Sequence, residues 1–522
     1  MSEETRLPIL IGGRRVEEAR ELHHFEYAGG LKVTSPAPTR DEMLGVLNTS
    51  RDLLKSVPMR EIIDFFDAVA RTFSRPGNVW RELARSLGPK VTGYHPDLID
   101  RDINFLCGCC LHYELFDLLE TDLGDAAVLD DWTRYKGTHF RAWPRGLVAH
   151  VMVGNVPLAA FFTLVRSLLT KNITVGKVSR RDVVIPQCFA QCMYDVDPSH
   201  PVVKALTTVY WQPESEIENL VIDAADVVTV WGQAKSIESV KKRLSYGTDL
   251  IEFGPKRSFA LFLDGVEDWD RASLFLAYDI INYDQEACFS TQEAYVLGDP
   301  KPLAAALARW LEQFGAHVAS SNRSSDGDAH VQQFRMEARA EGWEVIAPAG
   351  TGWTIIITDG PARLSQHPLT RTIYIHPCRE LGAVYALVDD DVQGVTVEPF
   401  EKAWEVAEEL SRRGADRIIP LGHTGWPTEG FIHDGFHPMR RMVRWSAVER
   451  RADQGVRRFQ TPPVSEAVYG SWARGERAWN EVHRVAPYEQ FDKRAAAKTR
   501  SEPSPSGSVE RAVDQSPARV VR

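Results

Sequence analysis

The sequence has little cysteine, seven residues in a chain of 522. They follow no regular pairing pattern. That excludes a disulfide-stapled secreted scaffold and points to a reducing, cytoplasmic setting. An excess of positive charge is also lacking. The formal net charge of -11 at pH 7 excludes general nucleic-acid binding, which needs a basic face to neutralise phosphates. No apolar run reaches the roughly 20 residues that a membrane-spanning helix needs. The stretch Met1-Ser2-Glu3-Glu4-Thr5 is acidic, unlike the apolar region of a signal peptide, and no lipid-attachment motif marks either end. There is no internal repeat. No G-x-G-x-x-G follows the first strand of the central region, so the standard dinucleotide fingerprint is not met.

What is present is an ordinary globular composition, 43% hydrophobic and 25% charged, in a chain longer than one core usually covers. Two or three domains are therefore expected. Residues 6–35 predict short strands around Gly12-Gly13 and Gly29-Gly30. From Thr39 to about Leu119 the pattern is helical, with Ile62, Phe65, Phe66, Val69, Ala70 and Phe73 at spacings of three and four. Asp131 to Trp143 is aromatic, charged and strand-like. From Gly146 strands alternate with helices: strand Leu147–Val153, helix Pro157–Leu169 with proline in its first turn, then strands Ile173–Val178, Val227–Trp231 and Ser258–Leu263. Such alternation predicts right-handed crossovers and a mainly parallel sheet. A second α/β block is expected over about 252–421, with strands Ala294–Leu297, Glu344–Ala347, Thr372–Ile375 and Val384–Val388, and helices Pro302–Phe314 and Glu401–Arg412. Residues 493–522, rich in Ser, Pro, Ala, Arg and Glu, are expected to stay disordered.

The stretch from Tyr283 to Gln292 places one cysteine, Cys288, among small and polar residues between a helix and a strand. There it can face a cleft while held by rigid elements, as nucleophilic catalysis requires; the alternative is a packing cysteine. Asn155 follows the first buried strand and either caps the next helix or donates to an oxyanion. The next strand end collects Lys177, Ser179, Arg180 and Arg181, either a solvated turn or a seat for a 2′-phosphate. Gly232, between a strand and a helix, allows close backbone approach to a phosphate. Glu252 stands beside Gly254-Pro255 and is either a site carboxylate or a surface one. Cys107, Cys109 and Cys110 lie in an apolar helical region without the second ligand pair that zinc requires, and Cys188 and Cys192 share a helix face, so packing is expected for both groups. His423 and the His433-Asp434 turn either support Cys288 or are structural. Trp426, Phe431 and Phe436 either line a channel or pack.

Taken in order, Asn155, Lys177, Gly232, the block Glu252-Phe253-Gly254-Pro255-Lys256 and Cys288 resemble the motifs of the aldehyde dehydrogenase superfamily. Within it, Gly154-Asn155-Val156-Pro157-Leu158, Arg166-Ser167-Leu168-Leu169-Thr170-Lys171-Asn172, Asp284-Gln285-Glu286-Ala287-Cys288 and His433-Asp434-Gly435 look like the LuxC-type acyl-CoA reductases. The resemblance runs over roughly residues 40–450. It implies an α/β fold with two Rossmann-like parallel-sheet domains and a small oligomerisation element. N-terminal strands would occupy 1–38, a cofactor-binding domain 39–250 with 131–143 as an oligomerisation hairpin, a catalytic domain 251–425, and a C-terminal return 426–492. It also implies NADPH-dependent reduction of an acyl-CoA or acyl carrier protein thioester to the aldehyde by a homo-oligomer, dimer or tetramer, with no metal, membrane or nucleic acid. Cys288 would be the nucleophile, Asn155 and the Cys288 backbone N–H the oxyanion donors, and Glu252 a further catalytic position. Lys177, Ser179, Arg180, Gly232, Gly254 and Glu380 would hold the cofactor. Two departures matter. Arg180 stands where many NAD-using members carry a Glu that would repel a 2′-phosphate, which favours NADPH. Pro255 replaces a glycine and removes a backbone donor, leaving the general-base role of Glu252 open. The rival implications are an NAD(P)-dependent aldehyde dehydrogenase that oxidises an aldehyde to the acid or acyl-CoA, and a non-catalytic scaffold that binds a carrier protein.

Overall fold

The computed structural model describes residues 4–18, 21–135, 138–318, 325–364, 366–426 and 432–449. The expected disordered tail, most of the C-terminal return and Phe431 lie outside the described residues. The chain divides into two compact units. The first, Met1–Thr133 with Phe140–Ser446, contains both large sheets. Of the second, Arg134–His139 with Ala447–Arg522, the described residues are chiefly strand.

The first sheet has seven strands in the order Asp249–Phe253, Val227–Trp231, Leu147–Val151, Ile173–Lys177, Leu206–Val209, Ile9–Ile11 and Arg14–Val16. The first five run parallel. They read as near-continuous apolar runs because helices cover both faces; Leu147, Val148, Val175, Val227 and Val228 are all buried. The N-terminal hairpin turns at Gly12-Gly13 and joins antiparallel at the far edge. The expected helical region resolves into five helices, Arg40–Leu47, Met59–Phe73, Val79–Thr92, Pro96–Cys109 and His112–Leu123. The second of these buries the apolar face read from the spacing, Ile62 through Phe73.

The second sheet runs Glu344–Ile346, Thr354–Ile357, Thr372–Cys378, Thr291–Leu297, Arg257–Phe262, Val392–Glu398 and Arg417–Pro420. All neighbours are parallel except the edge pair Glu344–Ile346 with Thr354–Ile357. One expectation is corrected. The apolar run Val384–Val388, read as a strand, contributes to the short helix Leu381–Tyr385, and the strand is Val392–Glu398. A short apolar run does not distinguish helix from strand. The true strand was hidden by Gln393, Gly394 and Thr396, which are buried inside the sheet. Gly394 is closely packed there: a Cβ would lie 3.1 Å from Ile419 Cδ1 and 3.2 Å from Ser258 Oγ.

The two sheets are joined by Gly254-Pro255-Lys256, which runs from Phe253 at the end of one to Arg257 at the start of the other. Lys256 Nζ is held by Asp416 at 3.1 Å. The block that the sequence analysis singled out is therefore the seam between the sheets.

Candidate active site

The helix Trp269–Ile281 is capped by Asp268, whose side chain accepts from the Arg271 N–H, and it stops short of Tyr283. There follow three consecutive non-glycine residues in the left-handed region, Tyr283, Asp284 and Gln285, with φ of 53°, 47° and 66°. Such residues are disfavoured singly and persist only where the surroundings over-determine them. Each has an anchor. Asp284 pairs with Arg371 at 2.7 Å, both side chains nearly fully buried. The Gln285 amide donates to the Thr291 and Thr372 carbonyls at 2.7 Å each. The Tyr283 hydroxyl donates to Asp102 at 2.9 Å. The chain then delivers Cys288, whose carbonyl accepts from Ser258 Oγ at 3.0 Å, into the strand Thr291–Leu297.

Cys288 lines a cavity of about 510 Å³. Burial pushes its thiol up to about 12. The Asp434 charge pushes the same way, while the Gln393 side chain and the backbone N–H groups of Cys288 and Phe289 pull down. The resting form is therefore the thiol. None of the other six cysteines lines the cavity. Its lining includes the apolar side chains of Phe105, Leu158, Phe162, Phe289 and Ile432.

Asn155 lines the same cavity. Its side-chain nitrogen donates to the Glu286 carbonyl at 2.7 Å, which ties it to the cysteine loop and leaves its second hydrogen free of that bond. Of its two sequence readings, the cap is not realised: the helix Pro157–Leu169 has Val156 at its N-cap with no side-chain capping bond. The Glu286 carboxylate accepts from Tyr94 Oη at 2.9 Å and pairs with Arg181, which also faces the cavity.

Of the other expected positions, Gly232 and Gly254 line the cavity. Gly232 has φ of 151°, a backbone setting that favours glycine. Lys177, Ser179 and Arg180 do not line it and lie around the neighbouring strand end. Lys177 is half-buried, and burial lowers its pKa. Ser179 Oγ accepts from the Arg181 N–H at 3.2 Å. The turn presses on Gly154, where a Cβ would lie 2.8 Å from Ser179 Oγ and from the Asp182 nitrogen. Arg180 is exposed, its carbonyl accepts from Tyr27 Oη at 2.7 Å, and its guanidinium makes no ion pair among the described residues. Glu252 also stays outside. It lies on the first sheet's edge strand and pairs at 3.1 Å with Lys241 of the helix Ala234–Lys241, its side chain 41% exposed. Glu380 is exposed at the N-cap of Leu381–Tyr385. Trp426 donates to Tyr278 Oη at 3.0 Å, and Phe436 stacks on Phe253; neither lines the cavity. Among the described residues no cluster of three metal-ligating side chains exists.

Two residues that the sequence reading passed over, Gln393 and Arg417, line the cavity as well. Both come from strands of the second sheet that were not recognised. The Gln393 amide donates to Asp434 at 2.6 Å, and burial pushes the Asp434 carboxyl up to about 6. His433 lines the cavity too. Its burial, with the Arg166 and Arg417 cations beside it, holds it well below the ordinary imidazole value, so it is neutral.

Residues 54–445 match the family model described as acyl-CoA reductase (LuxC). A long-chain acyl-protein thioester reductase of Vibrio harveyi is 29% identical over 455 residues, covering 86% of this chain and 94% of that protein. A protein of the same name from Photorhabdus luminescens is 30% identical over 458 residues, covering 85% and 93%. Among solved structures, an NADP-dependent glyceraldehyde-3-phosphate dehydrogenase of Bacillus halodurans superposes with a TM-score of 0.67 at 16% identity, over 85% of this chain and 98% of that one. A Mycobacterium tuberculosis aldehyde dehydrogenase gives 0.67 at 15% identity, over 87% and 100%. At such identities the likeness shows the fold: this is the aldehyde dehydrogenase-like α/β architecture expected from the motif order.

Proposed function

The chain belongs to the LuxC family of acyl-CoA reductases, and from that premise we propose that it reduces an acyl thioester to the aldehyde through an acyl-enzyme on Cys288. The observation that carries the reading is the meeting of Cys288 and Asn155 in one cavity whose lining includes apolar side chains. Cys288 Sγ attacks the thioester carbonyl carbon and gives up its proton. The carrier sulfur takes a proton and leaves as the free thiol. The Asn155 amide and the Cys288 backbone N–H hold the oxyanion that forms in between. A nicotinamide cofactor supplies the hydride when bound. The carbon–sulfur bond to Cys288 then breaks, the aldehyde departs, and the sulfur regains a proton. The apolar side chains of the lining suit a long acyl chain, and the names of the curated relatives support a protein-bound donor, with acyl-CoA as the small-molecule equivalent. All seven cysteines are free, which supports a cytoplasmic setting.

The residues fit a nicotinamide dinucleotide. Strands Leu147–Val151, Ile173–Lys177 and Val227–Trp231 run parallel, so their carboxyl ends share one edge, where ligands of such sheets bind. Gly232 leaves backbone open at the start of the helix Ala234–Lys241. Lys177, Ser179, Gly232, Gly254 and Glu380 would hold the cofactor. Arg180 would take a 2′-phosphate, which selects NADPH. Arg180→Glu is expected to raise the KM for NADPH by about tenfold to a hundredfold, the value of a charge-assisted contact, and to leave NADH use unchanged or improved. Steady-state rates with the two cofactors decide it, and an unchanged preference contradicts the assignment.

The position of Glu252 supports reduction over hydrolysis, because an acyl-enzyme awaiting hydride has no use for an activated water. Full-length protein supplied with acyl-CoA or acyl carrier protein thioesters and NADPH is expected to form aldehyde, and Glu252→Gln is expected to do so within about twofold of the parent, as for a surface carboxylate. Failure to reduce any thioester in the panel, alongside thiol-independent oxidation of aldehydes, would overturn the reading.

A further inference from the structure

A second amide stands beside the nucleophile. The strand Val392–Glu398 pairs with Arg257–Phe262, but the register jumps: Arg257 faces Val392 and Ser258 faces Gly394. Gln393 is the extra residue of this bulge. Bulges re-aim side chains and are frequent beside active sites. Here the bulged residue lines the cavity and is only 4% exposed. Ser258, which faces the next residue Gly394, is the residue that holds the Cys288 carbonyl. The Gln393 side chain lines the same cavity as Cys288, pulls the Cys288 thiol's pKa down and donates through its nitrogen to Asp434 at 2.6 Å. A carboxylate accepts hydrogen bonds, so the amide end that meets Asp434 is the nitrogen. That nitrogen carries two hydrogens, and the bond to the carboxylate uses one of them.

We propose that Gln393 is a catalytic residue whose amide N–H donates a hydrogen bond to the Cys288 sulfur, both as the thiolate forms and as the carbon–sulfur bond of the acyl-enzyme breaks. The proposal rests on the reading of Cys288 as the nucleophile. In both steps negative charge develops on the same sulfur, and a donor already in place stabilises it without reorganisation. The charged groups around the pair are Asp434, Lys256, Asp416, Arg166 and Arg417. Among the described residues, Gln393 and the backbone N–H groups of Cys288 and Phe289 are the hydrogen-bonding groups that lower the thiol's pKa.

The test reads the thiol directly. Full-length parent, Gln393→Met and Gln393→Asn are treated with iodoacetamide at pH 8, and alkylation of Cys288 is followed by peptide mass. Methionine keeps the length and loses the donor, whereas asparagine keeps the amide and falls one methylene short. Both are expected to slow alkylation of Cys288 by about tenfold to a hundredfold, the thiolate fraction that a hydrogen bond to a charged group accounts for. The partly exposed Cys109 serves as the internal reference and should keep its rate. A merely structural role would loosen the loop and speed both cysteines. Cys288 alkylation at or above the parent rate, in either variant with the parent's circular dichroism, overturns the proposal. Because alkylation needs neither thioester nor cofactor, an absence of aldehyde synthesis in the parent would sink the reductase reading alone.

Discussion

Cys288→Ala is expected to lose aldehyde formation by roughly 10⁴-fold or more, the scale seen when an enzyme's nucleophile is removed. The reason lies in the loop. Six other cysteines exist, but none lines the cavity, and five of them are buried elsewhere in the fold, so no neighbouring thiol can substitute. The variant should fold normally. The left-handed run Tyr283, Asp284 and Gln285 is anchored by Arg371, Thr291, Thr372 and Asp102, and none of those contacts uses the Cys288 side chain. A thermal midpoint near the parent's with no aldehyde by chromatography is the expected pair of results. Retained aldehyde synthesis at the parent rate would mean that the thioester is reduced without an acyl-enzyme.

Asn155→Ala is expected to lower kcat by about 10²–10³-fold, the usual worth of one oxyanion donor, with a much smaller change in KM. An interaction made only as the carbonyl oxygen gains charge acts on the transition state and not on substrate binding. The side-chain nitrogen also donates to the Glu286 carbonyl at 2.7 Å, so part of the loss could reflect a displaced cysteine loop. Alkylation of Cys288 by iodoacetamide separates the two, since a displaced loop changes its rate and a lost oxyanion donor alone does not. Asn155→Asp, which lacks both donated bonds, should be at least as slow as the alanine variant. Single-turnover acylation and hydride-transfer rates should both fall, since an oxyanion forms in each step. A change confined to KM would assign Asn155 to binding.

How much of this was legible in the sequence depends on whether the signal was local. The parallel strands with continuous apolar runs and the helix Pro157–Leu169 could be read because their patterns are local; that helix coincides with the expectation residue for residue. The position of Cys288 between a helix and a strand was legible for the same reason. What failed was long-range. The N-terminal hairpin pairs Leu10 with Thr208, which no local pattern announces. Val392–Glu398 is buried on both faces yet carries Gln, Gly and Thr, so its polarity masked it, and Gln393 was missed with it. Glu252 sits one residue before Phe253, a cavity residue, but successive strand residues face opposite ways. Its carboxylate therefore meets Lys241 on a helix that lies eleven residues back in the chain. Sequence adjacency to a site residue does not place a side chain in the site.

The central claim is that Cys288 carries the acyl group, and the acyl-enzyme itself tests it most directly. Full-length protein incubated with a long-chain acyl thioester in the absence of nicotinamide cofactor should gain the mass of one acyl group, located on the peptide containing Cys288, with release of one equivalent of carrier thiol. Addition of NADPH should discharge that group as aldehyde. An unmodified Cys288 under these conditions, or an acyl group found on another residue and discharged at the catalytic rate, would contradict the account.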